Sequence, residues 1–143
     1  MKTEFYLRFE EGLPTTTAQE KGECIRYKIS DGQRVPYIHH FKKEKVSNMR
    51  QELELKLKRF RPKTPATGPV RLTVVLYFSI KDRKLWGKYK TRKPDCSNYV
   101  KEIEDAMTAT GYWNDDSQIS DLRVIKYYSE KATIFIRVED LEA

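Results

Sequence analysis

The sequence has little of what a membrane protein, a secreted protein or a disulfide-stabilised domain requires. No apolar run approaches the roughly 18 residues of a membrane-spanning helix. The opening segment, MKTEFYLRFEEG, has acids where a signal peptide has its apolar centre, so no leader is expected. The two cysteines, Cys24 and Cys96, match neither a disulfide framework nor a metal-binding pattern. We therefore expect a single cytoplasmic domain over residues 1–143, with no membrane association.

The net charge of +7 is spread unevenly along the chain. Residues 1–41 sum to zero, whereas residues 42–63 and residues 81–93 each sum to +6. Residues 102–122 hold six acids and no base. Basic surfaces beside an acidic pocket suit a protein that holds a polyanion and places a metal ion against it.

Hydrophobic periodicity predicts an α+β domain with the element order β-β-α-β-α-β-β. The predicted strands are residues 2–10, 23–30, 70–80, 121–128 and 132–138, and the predicted helices are residues 42–60 and 95–110. The last two strands are expected to pair as a closing hairpin, and residues 33–41 to be irregular. We expect a mixed or antiparallel sheet with the two helices packed on one face.

The most informative stretch is residues 91–118, TRKPDCSNYVKEIEDAMTATGYWNDDSQ. Its apolar residues recur at helical spacing along one face, and they are Tyr99, Ile103, Ala106, Met107 and Thr110. Asp95 is placed as the helix N-cap and Gly111 as its C-terminal stop. Asp115 and Asp116 follow in a turn, and spacing alone does not show whether they return to Asp95.

These residues resemble the core of the RusA-type Holliday junction resolvases. That family reads approximately K/R-x-D-x-D-N-x-x-K, then D-A-L, then G-x-W-x-D-D-x-Q. The chain matches this pattern at the same spacing at Lys93, Asp95, Asn98, Lys101, Asp105, Ala106, Gly111, Trp113, Asp115, Asp116 and Gln118. It departs from the pattern at Ser97, where the family has a second acid.

The resemblance implies a metal-dependent endonuclease that resolves four-way DNA junctions by paired nicks in recombination and repair. Cutting a phosphodiester needs an activated water and neutralised charge, and Mg²⁺, or alternatively Mn²⁺, held by carboxylates supplies both. The expected metal ligands are Asp95, Asp115 and Asp116. The expected catalytic residues are Asp95, Asp116 and Lys101, and the expected supporting residues are Ser97, Asn98, Glu102 and Gln118.

Each of these assignments has an ordinary structural alternative. From spacing alone, Asp95 is better explained as a helix cap, and the resemblance reverses that preference. Asp115 and Asp116 fit solvated acids in a turn, and Lys101 fits an exposed helix lysine. Asn98 and Gln118 fit side chains that satisfy local backbone hydrogen bonds. Asp105 fits a structural role farther along the helix.

Residues 81–93 form a basic loop with two aromatic residues, and we expect it to bind the DNA arms together with residues 42–63. The candidate DNA-binding residues are Lys81, Arg83, Lys84, Trp86, Lys88, Tyr89, Lys90, Arg92 and Lys93. The cations would pair with phosphates, and Trp86 and Tyr89 would stack on an unpaired base. The alternative is an ordinary flexible surface loop.

A homodimer is expected by resemblance, because two-fold protein symmetry suits a junction that is nicked in two strands. Ser97 keeps a rival hypothesis open, namely a junction-binding protein with weakened or lost catalysis. A third hypothesis is an adaptor that binds other proteins through its basic face.

Overall fold

The structure, a computed structural model, describes residues 2–15, 21–42 and 44–142. Side chains are described for these residues except 21–24, 40–42 and 44–47. The elements in chain order are β1 Lys2–Arg8, β2 Lys21–Ser30, β3 Gln33–Lys42, α1 Glu44–Lys58, β4 Val70–Ser79, α2 Cys96–Thr110, β5 Ile119–Ser129 and β6 Thr133–Asp140. Two short 3₁₀ turns, Arg83–Leu85 and Asp116–Gln118, precede α2 and β5.

Four strands form a mixed sheet in the order β1-β6-β4-β5. β4 pairs in parallel with β5 and antiparallel with β6, and β1 closes the other edge antiparallel to β6. The predicted α+β class is confirmed. The predicted hairpin between the last two strands is wrong, because β4 lies between β5 and β6. β4 is the most apolar strand, and the central position buries its alternating side chains most completely.

One face of this sheet carries the core. The helix-facing side chains of β4 are buried with those of β6 and β1, including Leu72, Val74 and Leu76. The α2 residues predicted to face the core, Tyr99, Ile103, Ala106, Met107 and Thr110, are all buried. On α1, Met49, Leu53 and Leu57 are buried, whereas Phe60, which was expected on the same helix, follows its end, is 39% exposed and stacks on Phe5. Val46, also expected on this stripe, lies outside the residues whose side chains are described.

Residues 33–41, expected to be irregular, belong to strand β3, which pairs antiparallel with β2 in a separate two-stranded sheet. Asp31 and Gly32 both have positive φ, 51° and 73°, which suits a two-residue hairpin turn whose twist matches that of its strands. Ile25, Tyr27, Ile29 and Ile38 are each more than half exposed. The strand was missed because the side chains that the structure describes in β3 show no burial alternation, and none of the described side chains of the hairpin is buried in the core.

The parallel pairing of β4 and β5 determines where the remaining elements lie. α2 crosses over between these two strands and packs against α1 and β5. Its first residue therefore follows the loop that leaves the carboxyl end of β4. No helix among the described residues is long and apolar enough to cross a bilayer.

Candidate active site

Asp95 is at the N-cap position of α2, but its carboxylate does not cap the helix. Its backbone is extended, with φ −72° and ψ 144°, and its carbonyl accepts a hydrogen bond from the Tyr99 amide. The side chain makes no capping hydrogen bond. Instead, the Asn98 Nδ2 donates to Asp95 Oδ2 at 3.5 Å. The exposed carboxylate therefore does not play the capping role that its position suggested.

The loop before α2 is held by β5. Lys126 Nζ donates to the carbonyl oxygens of Arg92 and Pro94, at 2.9 and 2.8 Å. Lys126 occupies a core-facing position in β5, opposite Leu76 of β4. Sequence reasoning missed this residue, although a lysine in the register of Leu122 and Val124 was a visible signal. It fixes the backbone on both sides of Lys93 and therefore the approach to Asp95.

The turn that carries Asp115 and Asp116 is fixed mainly by Gln118. The Gln118 Oε1 accepts from the amides of Asn114 and Asp115 at 2.9 and 3.0 Å. Its Nε2 donates to the carbonyl oxygens of Ala66 and Gly68 at 2.8 and 2.9 Å. The side chain thus anchors the turn to the connection before β4. Gln118 supports the site by holding the backbone that presents its acids.

The two acids of the turn differ electrostatically. Asp115 Oδ1 accepts a hydrogen bond from the Ser117 amide at 3.2 Å, and this contact lowers the pKa of Asp115. The pKa of Asp116 is raised, first by its hydrogen bond with Asp115, then by partial desolvation and by the negative charges of Asp115 and Asp105. Lys101 opposes this rise. Asp116 therefore lies where negative charge is concentrated and a cation would be stabilised.

Two α2 residues outside the predicted catalytic set add to this acidic group. Burial raises the pKa of Glu104, and the charges of Asp116 and Asp105 raise it further. Lys101 again acts in the opposite direction. The charges of Lys101, Glu104, Asp105 and Asp116 therefore act on one another.

Glu102, expected as a supporting residue, is fully buried between the helices. Arg50 of α1 donates through Nη2 to Glu102 Oε2 and, at 3.3 Å, to Asp105 Oδ2. Arg50 was missed by sequence reasoning, because only the fold brings it within reach of residues more than 50 positions away. This cluster fixes α2, which carries Asp95 and Lys101, against α1.

The carboxylates suit a metal ion by their chemistry. Within the described ranges, no three His, Cys, Asp or Glu side chains gather closely enough to form a metal cage. The hydrogen bond with Asp115, and after it the negative charge of the neighbouring acids, raise the pKa of Asp116, and a hard divalent cation would offset that negative charge. Ser97 is exposed on the first turn of α2 and offers only a neutral hydroxyl.

The basic loop 81–93 is more ordered than a flexible surface loop. The Asp82 carboxylate caps the turn Arg83–Leu85, and the amide of Gly87 donates to the carbonyl of Tyr128 at 2.9 Å. Trp86 Nε1 donates to the carbonyl of Ile80 at 2.8 Å, so this ring is part of the local structure. The exposed cations of the loop are Lys81, Arg83, Lys84, Lys88, Arg92 and Lys93.

Comparison with known proteins gives concordant matches. The family model "Endodeoxyribonuclease RusA" matches residues 24–139. The "Crossover junction endodeoxyribonuclease rusA" of Lactococcus phage r1t is 30% identical over 143 residues, covering 99% of this chain and 100% of the phage protein. The "Uncharacterized protein YqaN" of Bacillus subtilis (strain 168) is 32% identical over 117 residues, covering 74% of this chain and 82% of that protein.

Proposed function

Because the chain belongs to the RusA family of endodeoxyribonucleases, we propose that it is a metal-dependent nuclease that resolves four-way DNA junctions by paired nicks. The observation that carries the proposal is the acidic group at Asp116. Adjacent carboxylates there raise the pKa of Asp116 while Lys101 lies close enough to oppose the rise. Acids that concentrate negative charge beside a lysine suit a site that takes up a cation and a phosphate.

The residues that would hold the metal are Asp95, Asp115 and Asp116. Their hard carboxylate oxygens suit Mg²⁺, with Mn²⁺ as the alternative. When bound, such an ion supplies an activated water and neutralises charge on the phosphate. Ser97 would contribute a hydroxyl, either directly or through water, where the family pattern has an acid.

The protein's own residues have further roles. Lys101 would hold the scissile phosphate near Asp116 and offset the repulsion between phosphate and carboxylates. Lys126 and Gln118 act as positioning residues, because they fix the two backbone segments that carry the acids. The ion cluster at Arg50 keeps α2 in place against α1.

The basic loop would bind the phosphates of the junction arms. Its exposed cations lie directly before Asp95 in the chain, so the phosphates that they bind would lie close to Asp95. On α1, Lys56 is already engaged, since its Nζ donates to the Arg8 carbonyl at 2.8 Å. Among the described cations of residues 42–63, those proposed to contact DNA are Lys58, at the end of α1, and Arg59, Arg61 and Lys63, which follow it.

We also propose that the protein acts as a homodimer in the cytoplasm. A four-way junction is resolved only when two strands are cut, and a two-fold symmetric dimer presents one site to each. In such a dimer, each chain would cut one strand with its own acidic group, and the two cuts together would be the paired nicks.

Ser97 supports one alternative, a junction-binding protein whose catalysis is weakened or lost. The test is incubation of the wild-type protein with a synthetic four-way junction and with a duplex of the same sequence, in Mg²⁺ and in EDTA. The proposal expects paired nicks in the junction, in Mg²⁺ alone, and little cutting of the duplex. Tight junction binding without cleavage in either Mg²⁺ or Mn²⁺ would favour the alternative. Equal cleavage of junction and duplex would contradict the proposed substrate.

A further inference from the structure

Three tyrosine rings stack in a row on the face of the sheet opposite the helices. Tyr77 of β4 and Tyr127 of β5 are paired across the parallel ladder, with ring centroids 5.9 Å apart and planes at 22°. Tyr89 pairs with Tyr127 through an isolated bridge, with centroids 5.0 Å apart and planes at 23°. We call Tyr77, Tyr127 and Tyr89 the tyrosine column.

The column ends at the edge of the sheet on an exposed ring. Tyr89 is 68% exposed, although one of its faces is against Tyr127. Backbone hydrogen bonds hold it in place, since Lys90 donates to the Lys126 carbonyl at 3.0 Å and Tyr128 donates to the Lys88 carbonyl at 2.9 Å. The exposed part of the Tyr89 ring is therefore presented by a backbone that is anchored to β5.

The column lies near the loop that leads to Asp95. Tyr127 directly follows Lys126, whose side chain leaves the other face of β5 and holds the carbonyl of Pro94, next to Asp95. Residues 87–90 and the start of α2 thus border the same edge of the sheet. A DNA strand that passes this edge could pair its phosphates with the cations of the loop and place a base against Tyr89.

The chemistry of the surroundings suits a nucleotide. The segment that carries Tyr89 has seven basic residues and one acid between residues 81 and 93, giving +6. Cations bind the phosphate backbone, and an aromatic face stacks on a base of any sequence. Bases inside a duplex already stack on their neighbours, so only an unpaired base offers a face to the ring. Trp86 is a poorer platform, because its Nε1 donates a hydrogen bond to the Ile80 carbonyl and the Arg83 guanidinium lies over its ring.

We propose that Tyr89, backed by Tyr127 and Tyr77, is a stacking platform for one unpaired base at the branch point. This inference rests on the proposed junction-cutting function. It adds recognition of an unpaired base, which continuous paired DNA does not offer. It gives the chain a means of distinguishing a branch point from a continuous duplex.

The test uses a four-way junction that carries 2-aminopurine at the branch point, bound by the full-length protein in EDTA. Stacking on Tyr89 quenches the fluorescence of this base analogue. Wild type and Tyr89→Phe should both quench, because both keep the ring. Tyr89→Leu should lose the quenching and bind the junction on the order of tenfold more weakly, with unchanged affinity for a duplex.

The matched control is Tyr6→Leu. Tyr6 is 57% exposed on the same face of the sheet, but it lies on the opposite edge strand against Phe135. This variant should behave as wild type. Equal losses of junction and duplex affinity in Tyr89→Leu would overturn the platform, as would quenching that survives in that variant.

The wild-type protein alone keeps the inference falsifiable if Tyr89→Leu fails to fold. A junction that is bound and cut without any quenching refutes the platform and leaves the nuclease proposal standing. Quenching without cleavage in Mg²⁺ or Mn²⁺ supports the platform and refutes the nuclease proposal. The two failures are therefore distinguishable.

Discussion

Replacing Arg50 by methionine tests how firmly α1 holds the helix that carries the candidate site. The Arg50 guanidinium is paired with Glu102, whose side chain is 0% exposed, while that of Arg50 is 22% exposed. Truncating one partner of a buried ion pair costs about 3–5 kcal/mol, because the remaining charge stays in a low-dielectric interior. Since Arg50 is partly solvated, we expect Arg50→Met to lower the free energy of unfolding by about 3 kcal/mol.

Urea denaturation followed by circular dichroism measures this loss, and a thermal scan provides a second reading. At about 3 °C per kcal/mol for a domain of this size, the midpoint should fall by about 10 °C. The double variant Arg50→Met/Glu102→Leu removes both charges and should recover to within about 1 kcal/mol of wild type. Arg71→Met is the matched control, because Arg71 pairs with Asp121 on the exposed sheet face, where solvent screens the pair, so this variant should unfold at a midpoint close to that of wild type.

A loss below about 1 kcal/mol in Arg50→Met would refute the reasoning. So would a double variant as unstable as the single one, since the cost would then come from lost packing by Arg50 rather than from the lost charge pair. Recovery of stability without recovery of cleavage would show that Arg50 also matters for the placement of the α2 acids.

Junction affinity should fall at least tenfold between about 50 and 200 mM salt in a binding titration. Replacing the exposed Lys84, Lys88 and Arg92 by serine should weaken this dependence of affinity on salt without unfolding the chain. Ser97→Asp should lower the Mg²⁺ concentration for half-maximal cleavage and Ser97→Ala should raise it modestly; identical midpoints would remove Ser97 from the metal site. Because burial and neighbouring acids raise the pKa of Glu104, the folded state binds its proton more tightly and loses stability as pH rises above 4.5. Glu104→Gln should therefore raise the thermal midpoint at pH 7. An unchanged midpoint would argue that burial and neighbouring acids do not destabilise the charged Glu104 carboxylate. Light scattering should give the mass of two 17.0 kDa chains, and a monomer that cuts both strands would contradict the dimer.

Sequence periodicity identified the elements that bury one clear face. α2 was predicted at residues 95–110 and is observed at Cys96–Thr110, with its apolar face buried as expected. The alternation of β4 likewise matched the observed strand Val70–Ser79. In both elements, the packing against one core dictates the pattern, so the pattern is visible in the chain.

The pairing of strands that are distant in the sequence was harder to predict. The order of β4, β5 and β6 depends on which strands share buried side chains, and their neighbourhood in sequence suggested a hairpin instead. The contacts of Arg50 and Lys126 arise only once distant elements meet. The acids of the candidate site were predicted by resemblance, while the charge interactions between Asp116 and its neighbours required the fold.

The most direct test of the central claim separates cutting from binding in Asp95→Asn and Asp116→Asn. Each variant is titrated against a synthetic four-way junction for affinity and incubated with the same junction in Mg²⁺ for cleavage, with a thermal scan to show that it folds. The account predicts that both variants bind at least as tightly as wild type, because a charge that repels phosphate is removed, and that neither cuts. Cleavage at the wild-type rate by either folded variant would contradict the assignment of the active site.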